Sequence, residues 1–102
     1  MTTTLSVQSN MYRNNNRTHI RFWGPDGPYS TLTINIPDYP LEENEFIMNK
    51  DHEKYCNALN DYLVDQQVIK KTSKVAKSGY QTYTVWEFIQ DIEEVDLSRF
   101  KL

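Results

Sequence analysis

Residues Gly27–Asn44 read GPYSTLTINIPDYPLEEN, and this stretch decides the predicted fold. After an opening turn signal, apolar side chains alternate with threonine and asparagine, the apolar ones being Leu32, Ile34 and Ile36. A period of two in β-branched residues is typical of a strand with one buried face. We therefore predict a strand over Tyr29–Ile36 that ends at the segment 37–40, where two prolines stand.

The residues before this stretch predict two further strands. In Thr18–Trp23, the side chains of Ile20 and Phe22 share one face, as expected for a half-buried strand. The turn-rich connection 24–28 joins it to the following strand as an antiparallel hairpin. Leu5–Arg13 predicts an edge strand that ends at three consecutive asparagines.

After the prolines, the pattern changes from a period of two to a helical one. We predict a helix over Asp51–Gln66, capped by Asn49 or Asp51. Its apolar positions recur at i, i+3, i+4, i+7 and i+8, which makes one continuous stripe that should face the sheet. The stripe consists of Tyr55, Ala58, Leu59, Tyr62 and Leu63.

The last third of the chain predicts a second hairpin, from Val68–Val75 and Tyr80–Phe88 joined around Ser78-Gly79. The later strand has apolar residues on both faces, which is typical of a central strand. The acidic tail that follows carries enough apolar residues to line one side of a short helix. It either packs on the domain or becomes ordered when a partner binds.

Together these elements predict a single small α+β domain over residues 1–102. We expect an antiparallel sheet of about five to six strands with one main helix packed on it, in the order β-β-β-(β)-α-β-β. Residues 1–4 and about 90–102 are candidate flexible ends. No long apolar run or signal sequence is evident, and Cys56 is the single cysteine, so we expect a cytoplasmic protein without a membrane partner, as a monomer or homodimer.

The net charge of −3 is distributed in blocks of alternating sign. Residues 1–36 carry +2, 37–67 carry −6, 68–85 carry +4 and 86–102 carry −3. Blocks of this kind either neutralise each other across the fold or present distinct faces to a partner.

The acidic blocks predict a surface for binding a protein. Carboxylates in such number can occupy an arginine-rich channel meant for nucleic acid, and nearby aromatic residues such as Tyr39, Phe46 and Trp86 can anchor the contact. The predicted partner-binding residues are Glu42, Glu43, Glu45, Trp86, Glu87, Asp91, Glu93, Glu94 and Asp96.

The basic blocks support an alternative, which is nucleic-acid binding. Cations interspersed with an aromatic residue can contact phosphates while the ring stacks on a base. The residues predicted for this role are Arg17, Arg21, Trp23, Lys70, Lys71, Lys74 and Lys77. The acidic isoelectric point of about 5.3 argues against this alternative.

Catalysis, metal binding and a cofactor are not predicted. Cys56 and His52 stand at i and i+4 of the predicted helix, but this spacing arises often by chance, and an enzyme that relies on them remains a third, disfavoured alternative. The sequence contains no glycine-rich phosphate loop and no metal-ligand motif of known spacing.

Two blocks of the sequence resemble a family of small proteins of unassigned function, encoded by phages and conjugative elements mainly of Gram-positive bacteria. They are GPYSTLTINIPDYPLEENE at residues 27–45 and SGYQTYTVWEF at residues 78–88, with Asn57–Ile69 in the place of the family's helix. The resemblance spans residues 18–88. The chain departs from the family pattern at Thr84, where a proline is expected, and in its longer lysine-rich hairpin.

This resemblance implies a mobile-element context, in which small acidic proteins often inhibit host defence. The most specific function that this resemblance implies is that of an anti-CRISPR protein, which would bind a CRISPR effector or another defence nuclease in the host cytoplasm without catalysis.

Overall fold

The computed structural model describes residues 5–11 and 17–100, which form two antiparallel sheets and two consecutive helices. The strands are β1 (Ser6–Met11), β2 (Thr18–Gly24), β3 (Gly27–Thr31), β4 (Thr33–Ile34), β5 (Glu45–Met48), β6 (Ile69–Ser78) and β7 (Gln81–Phe88). The helices are α1 (Lys50–Tyr55) and α2 (Asn57–Asp65), and a 3₁₀ turn follows at Ile92–Glu94.

The strands divide into a three-stranded sheet, in the order β1-β2-β3, and a four-stranded sheet, in the order β4-β5-β7-β6. The predicted α+β class, the antiparallel pairing and both hairpins are confirmed. The sheet count is different, because seven strands form two sheets instead of one. The end of the predicted edge strand and its asparagine turn lie outside the described residues, as do residues 1–4.

The two sheets separate at Leu32, inside the stretch predicted as one strand. The Leu32 N–H donates to the carbonyl of Ile20 (2.9 Å), and the Ile20 N–H donates to Oγ1 of Thr33 (3.2 Å). On the other side, the Asn49 N–H donates to the Leu32 carbonyl (2.8 Å). One residue therefore bonds to β2 of the first sheet and to the residue that follows β5 of the second.

This crossing changes which side chains are buried. Leu32 lies in the main core, and the next residue, Thr33, is also only 1% exposed. Ile34 and Ile36 pack in a second cluster instead. The prediction that the three aliphatic residues share one face is therefore wrong, because the chain changes sheets between them.

The main core lies between the two sheets and α2. Ile20 and Phe22 are fully buried from the same face of β2, as predicted. The buried members of this core are Leu5, Ile20, Phe22, Leu32, Phe46, Met48, Leu59, Leu63, Val68, Ile69, Trp86, Ile92, Leu97 and Phe100.

The opposite face of the four-stranded sheet carries the smaller second cluster. Ile47, Ala76 and Val85 are buried there. The segment 36–41 lies over them and contributes apolar side chains of its own. Both faces of β7 are thus covered, and β7 is an inner strand, as its two apolar faces predicted.

The predicted single helix is broken at Cys56, whose backbone (φ −118°, ψ 40°) is not helical. Cys56 ends α1 through its N–H, which donates to the His52 carbonyl (2.9 Å), and it precedes α2. Leu59 and Leu63 are buried as predicted, but Tyr55 is 71% exposed and His52 is buried in its stead. Ala58 is exposed as well, so the stripe prediction holds only within α2 and only in part.

The chain after β7 packs on the domain up to residue 100. Ile92, Leu97 and Phe100 are buried in the main core. The Tyr62 hydroxyl of α2 donates to the Asp96 carbonyl (2.8 Å), and the Tyr62 and Phe100 rings lie 5.6 Å apart. A polar contact and a ring contact thus fix this segment against α2.

His52 is 1% exposed and is held by a polar and an aromatic neighbour. Its Nδ1 lies 2.7 Å from Oγ of Ser30, and its ring stacks on Phe22 at 5.8 Å. Nε2 is buried and has no hydrogen-bond partner within the described ranges. A buried unpaired acceptor costs less than a buried unpaired N–H, so we assign the proton to Nδ1, which donates to Ser30. Burial lowers the pKa of His52 to about 4.

We predict that the Thr33 hydroxyl stabilises the crossing between the sheets. Thr33→Val keeps the side-chain shape but leaves the buried Ile20 N–H without its acceptor, so the free energy of unfolding should fall by about 1–3 kcal/mol. Urea unfolding measures this change.

Thr33→Ser, which keeps the hydroxyl, should lose about 1 kcal/mol or less. Thr31→Val, on a half-exposed position, should stay within about 0.5 kcal/mol of the parent protein. Equal stability of Thr33→Val and the parent would contradict the prediction.

We predict that acid weakens the fold through His52. Between pH 7 and pH 5 the unfolded chain binds a proton at this imidazole, whose ordinary pKa is 6.5, while the folded protein keeps it neutral. The free energy of unfolding should therefore fall by about 2 kcal/mol over this range and flatten below pH 4, where the folded state is also protonated.

Urea unfolding at pH 7, 6 and 5 measures this dependence. His52→Gln should lose most of the pH dependence. His19→Gln is the matched control, because its pKa is also lowered, by partial burial and by Arg21, but the ring is not fully enclosed. A His52→Gln variant with the same pH dependence as the parent would show that His52 is not the responsible group.

Candidate acidic binding end

The antiparallel pair of β5 and β7 brings the two acidic segments of the sequence together. Glu45 at the start of β5 lies opposite Glu87 near the end of β7. Beyond them, the Phe88 N–H donates to the Asn44 carbonyl (2.8 Å). The loop 42–44 therefore meets the chain that leaves β7 at one end of the four-stranded sheet, and from there this chain continues to β1 of the other sheet, which it contacts at Ile92–Glu94. We call residues 42–44 and 87–96 the acidic end.

Most of the predicted partner-binding carboxylates are exposed at this end. Ile89, which is 52% exposed, supplies an apolar side chain among them, while Glu87 is half-buried. The exposed carboxylates are those of Glu42, Glu43, Asp91, Glu93, Glu94 and Asp96.

Two of these carboxylates also order the backbone around them. An Asp91 oxygen accepts from the Glu93 N–H (2.9 Å), which caps the 3₁₀ turn. An Asp96 oxygen accepts from the Ser98 N–H (2.9 Å), and hydrogen bonds from Ser98 lower the pKa of Asp96. These bonds hold the acidic segment in a defined conformation, which reduces the conformational entropy that binding must remove.

Glu45 does not belong to the surface, contrary to the prediction. Its side chain is only 5% exposed, and its oxygens accept from the Glu42 N–H (2.8 Å) and pair with Lys74 Nζ (3.0 Å). The bond from the Glu42 N–H and then the Lys74 ammonium lower the pKa of Glu45. Its role is to tie the acidic loop to β6, because a buried carboxylate requires partners of this kind.

Trp86 is likewise wrong as a surface anchor, because it is 7% exposed in the main core. Its Nε1–H donates to the Thr84 hydroxyl (2.9 Å), which in turn donates to Glu53 (2.7 Å). Phe46 is buried as well, and Tyr39 packs in the second cluster. The aromatic residues predicted as anchors thus fill the two cores, and Ile89 is the apolar side chain that the acidic end presents.

The residues predicted to bind nucleic acid lie on different sheets. Arg17 donates to the carbonyls of Ile36 (2.7 Å) and Tyr39, so it holds the covering segment in place. On β2, the Arg21 guanidinium lies 5.8 Å from the Trp23 ring, whose Nε1–H donates to Gln8 (2.7 Å).

The lysines stand on β6, an edge of the four-stranded sheet, where Lys70, Lys71 and Lys77 are exposed. Lys74 differs because it pairs with Glu45. A bulge brings it there, since the pairing shifts by two residues between Lys71 and Val75. Lysines and bulges on an edge strand discourage pairing with other chains, which is a structural reason for this basic block.

The described residues contain no group of three or more side chains that could hold a metal ion. His52 bonds to Ser30 instead of Cys56, which ends the helix through its backbone. A serine and a histidine at 2.7 Å resemble part of a catalytic triad. Here, however, the second ring nitrogen lies in the core with no orienting group within the described ranges. No helix among the described residues is long and apolar enough to cross a membrane.

A cleft of about 210 Å³, which the sequence did not predict, lies beside the acidic end. It lies between the three-stranded sheet and the chain that leaves β7. Its lining residues are Ser9, Thr18, Ile20, Phe88, Gln90, Asp91 and Ile92. They come from segments about 70 residues apart, so no local motif could have indicated the cleft.

No curated protein and no solved structure matches the chain. A family model described as a domain of unknown function matches residues 4–101, which is nearly the whole chain. The chain therefore belongs to the family of the domain of unknown function DUF4313.

Proposed function

We propose that this protein acts by stoichiometric binding, without catalysis, and that its acidic end occupies the nucleic-acid-binding surface of a partner protein. The observation that carries this proposal is the convergence of the two acidic segments through the β5–β7 pair. The two segments that this pair joins carry seven carboxylates, counting that of the half-buried Glu87. A surface of this charge attracts cationic channels and raises the rate of encounter with them.

The order of this surface supports the proposal. Asp91 and Asp96 hold tight turns, and Glu45 ties the acidic loop to β6. Ile89 adds apolar area that a partner can bury. A preorganised set of charges around an apolar side chain is a common composition for a protein interface.

In its most specific form, the proposal is that this protein is carried by a phage or another mobile element and inhibits a bacterial defence nuclease, as an anti-CRISPR protein does. The motivation is the resemblance of the two sequence blocks to mobile-element proteins. Such an inhibitor would act in the host cytoplasm by occupying the channel that the nuclease uses for its guide or target.

Recovery of the partner tests the proposal. The tagged protein is used to isolate partners from a lysate of a host that carries its own defence systems, with and without nuclease treatment. A nuclease-resistant complex with a defence nuclease is expected. Partners that are lost after nuclease treatment would favour the outer face of the three-stranded sheet, where Arg21 lies over Trp23.

We predict that charge reversal at the acidic end weakens binding to the recovered partner. The variant combines Glu42→Lys, Glu43→Lys, Glu93→Lys and Glu94→Lys, all at exposed positions. Loss of electrostatic steering should reduce the association rate constant roughly tenfold or more, and the loss should shrink at high salt. Surface plasmon resonance at two salt concentrations measures this effect.

A control must separate the position of the charges from the total charge. Asp26→Lys, Asp51→Lys, Asp61→Lys and Asp65→Lys together change the net charge by the same amount, at exposed positions outside the acidic end. This control should reduce the rate less than the first variant. Equal rates for both variants would mean that the acidic end is not the binding surface.

The alternative function, nucleic-acid binding, makes a different prediction at the Arg21–Trp23 pair. Binding of single-stranded nucleic acid should weaken steeply with salt and decrease in Trp23→Ala, because the stacking platform is lost. Fluorescence anisotropy at low salt measures it, and the exposed Tyr80→Ala, on the hairpin of the other sheet, is the control. Absence of binding at low salt would remove this alternative.

A further inference from the structure

Two consecutive residues, Gln90 and Asp91, bring hydrogen-bond acceptors to the cleft beside the acidic end. Asp91 contributes a carboxylate, of which one oxygen already accepts from the Glu93 N–H. Gln90 uses its side-chain N–H groups on the carbonyls of Gln66 (2.9 Å) and Gln67 (3.2 Å), so its amide oxygen is the atom it offers to a ligand. Both residues are acceptors, and they are consecutive in the chain.

Hydroxyl groups complete the polar lining from the other side. Ser9 on β1 and Thr18 on β2 lie on the face that also carries Ile20, because Ser9 pairs with Ile20 and Thr18 alternates with it. A hydroxyl can accept or donate. No lysine or arginine lines the cleft within the described part of the chain. The cleft is therefore suited to a group that donates several hydrogen bonds and carries a positive charge.

The remaining lining is apolar and is held in place. Phe88 stacks on Phe46 with ring centroids 4.4 Å apart, which fixes the orientation of its ring. Ile20 and Ile92 are buried in the main core. A planar cation can pack on surfaces of this kind while its edge donates to the acceptors.

We propose that this cleft binds the guanidinium group of an arginine side chain presented by the partner protein. The inference rests on the proposed function, because the surrounding acidic end is what brings a basic partner surface to the cleft. It adds a specific point of attachment to a surface that otherwise acts by charge alone.

Arginine fits the cleft better than lysine for two physical reasons. The guanidinium has five N–H donors in a fixed plane, which matches a carboxylate, an amide oxygen and two hydroxyls placed on different sides. It is also less strongly hydrated than an ammonium group, so it can pack against the half-buried Phe88 ring at a lower cost of desolvation. A lysine would offer three donors at one point and lose more of its hydration.

Titration with three short peptides tests the proposal, with ¹⁵N–¹H spectra of the intact protein as the readout. The peptides are end-blocked glycyl-X-glycine, in which X is arginine, lysine or citrulline. Citrulline has nearly the shape of arginine without its charge. We expect saturable shifts of the backbone amides of Ser9, Thr18, Gln90 and Asp91 with the arginine peptide, weaker shifts with lysine and none with citrulline. Equal effects of arginine and lysine, or no shifts at these amides, would overturn the proposal.

Two variants and one control assign the effect to the cleft. Asp91→Asn keeps a side chain that caps the 3₁₀ turn but removes the charge, so affinity for the arginine peptide should fall roughly tenfold or more. Thr18→Ile fills the cleft with a β-branched residue that suits a strand, and it should also abolish the shifts. Asp61→Asn removes one charge at an exposed position outside both the lining and the acidic end, and it should change the affinity less than twofold, by the small energy of an exposed charge.

The outcome separates this inference from the proposed function. If the arginine peptide does not shift the cleft amides but charge reversal of the acidic end still weakens the partner complex, only the inference about the cleft is wrong. If the peptide binds as expected but charge reversal leaves the partner complex unchanged, the cleft binds arginine and the acidic end is not the partner surface.

Discussion

The architecture depends on the hydrogen bonds around Leu32. Backbone groups at the end of a sheet must find partners when the chain leaves it, since a buried unpaired N–H or carbonyl is costly. Here the N–H of Leu32 bonds to β2 and its carbonyl accepts from Asn49, which follows β5. Asn49 also donates from its side chain to the Thr31 carbonyl (2.8 Å) and caps α1. One short segment therefore satisfies the ends of two sheets and the start of a helix.

The position of the acidic end follows from this arrangement. Once β4 pairs with β5, and β5 with β7, the loop before β5 must lie beside the chain that leaves β7. The ion pair between the enclosed Glu45 carboxylate and the exposed Lys74 then holds this loop against the bulge of β6. The charged surface is thus a consequence of strand order.

The sequence predicted much of the fold because its signals were local. The alternation in Thr18–Trp23, the turn chemistry of both hairpins and the two-sided apolar pattern of β7 each depend on neighbouring residues. The helix break at Cys56 and the crossing at Leu32 were not predictable in this way. The crossing at Leu32 arises where tertiary hydrogen bonds outweigh local propensity, and Cys56 has no special backbone preference that would signal a break.

In the candidate site too, the features that depend on local sequence were predictable and those that depend on tertiary contacts were not. The exposed carboxylates were predicted from charge alone, but Glu45 and Trp86 were misplaced because burial on a strand depends on what covers that face. Glu45 is covered through its pairing with Lys74, 29 residues further along the chain, and Trp86 lies in a core that residues of both sheets and α2 build together. The cleft was missed for a related reason, since its acceptors become a site only when β1 and β2 meet the chain after β7.

Each of the two sheets contains one of the two tryptophans, so the intrinsic fluorescence of the protein reports on both sheets. Trp23 lies half-exposed beneath the Arg21 guanidinium on the three-stranded sheet, whereas Trp86 is enclosed in the core from the four-stranded sheet. Their fluorescence spectra should differ, with the enclosed ring emitting at shorter wavelength. Because the segment at Leu32 belongs to both sheets, the two signals should change at one denaturant concentration, as the cooperative loss of a single structure.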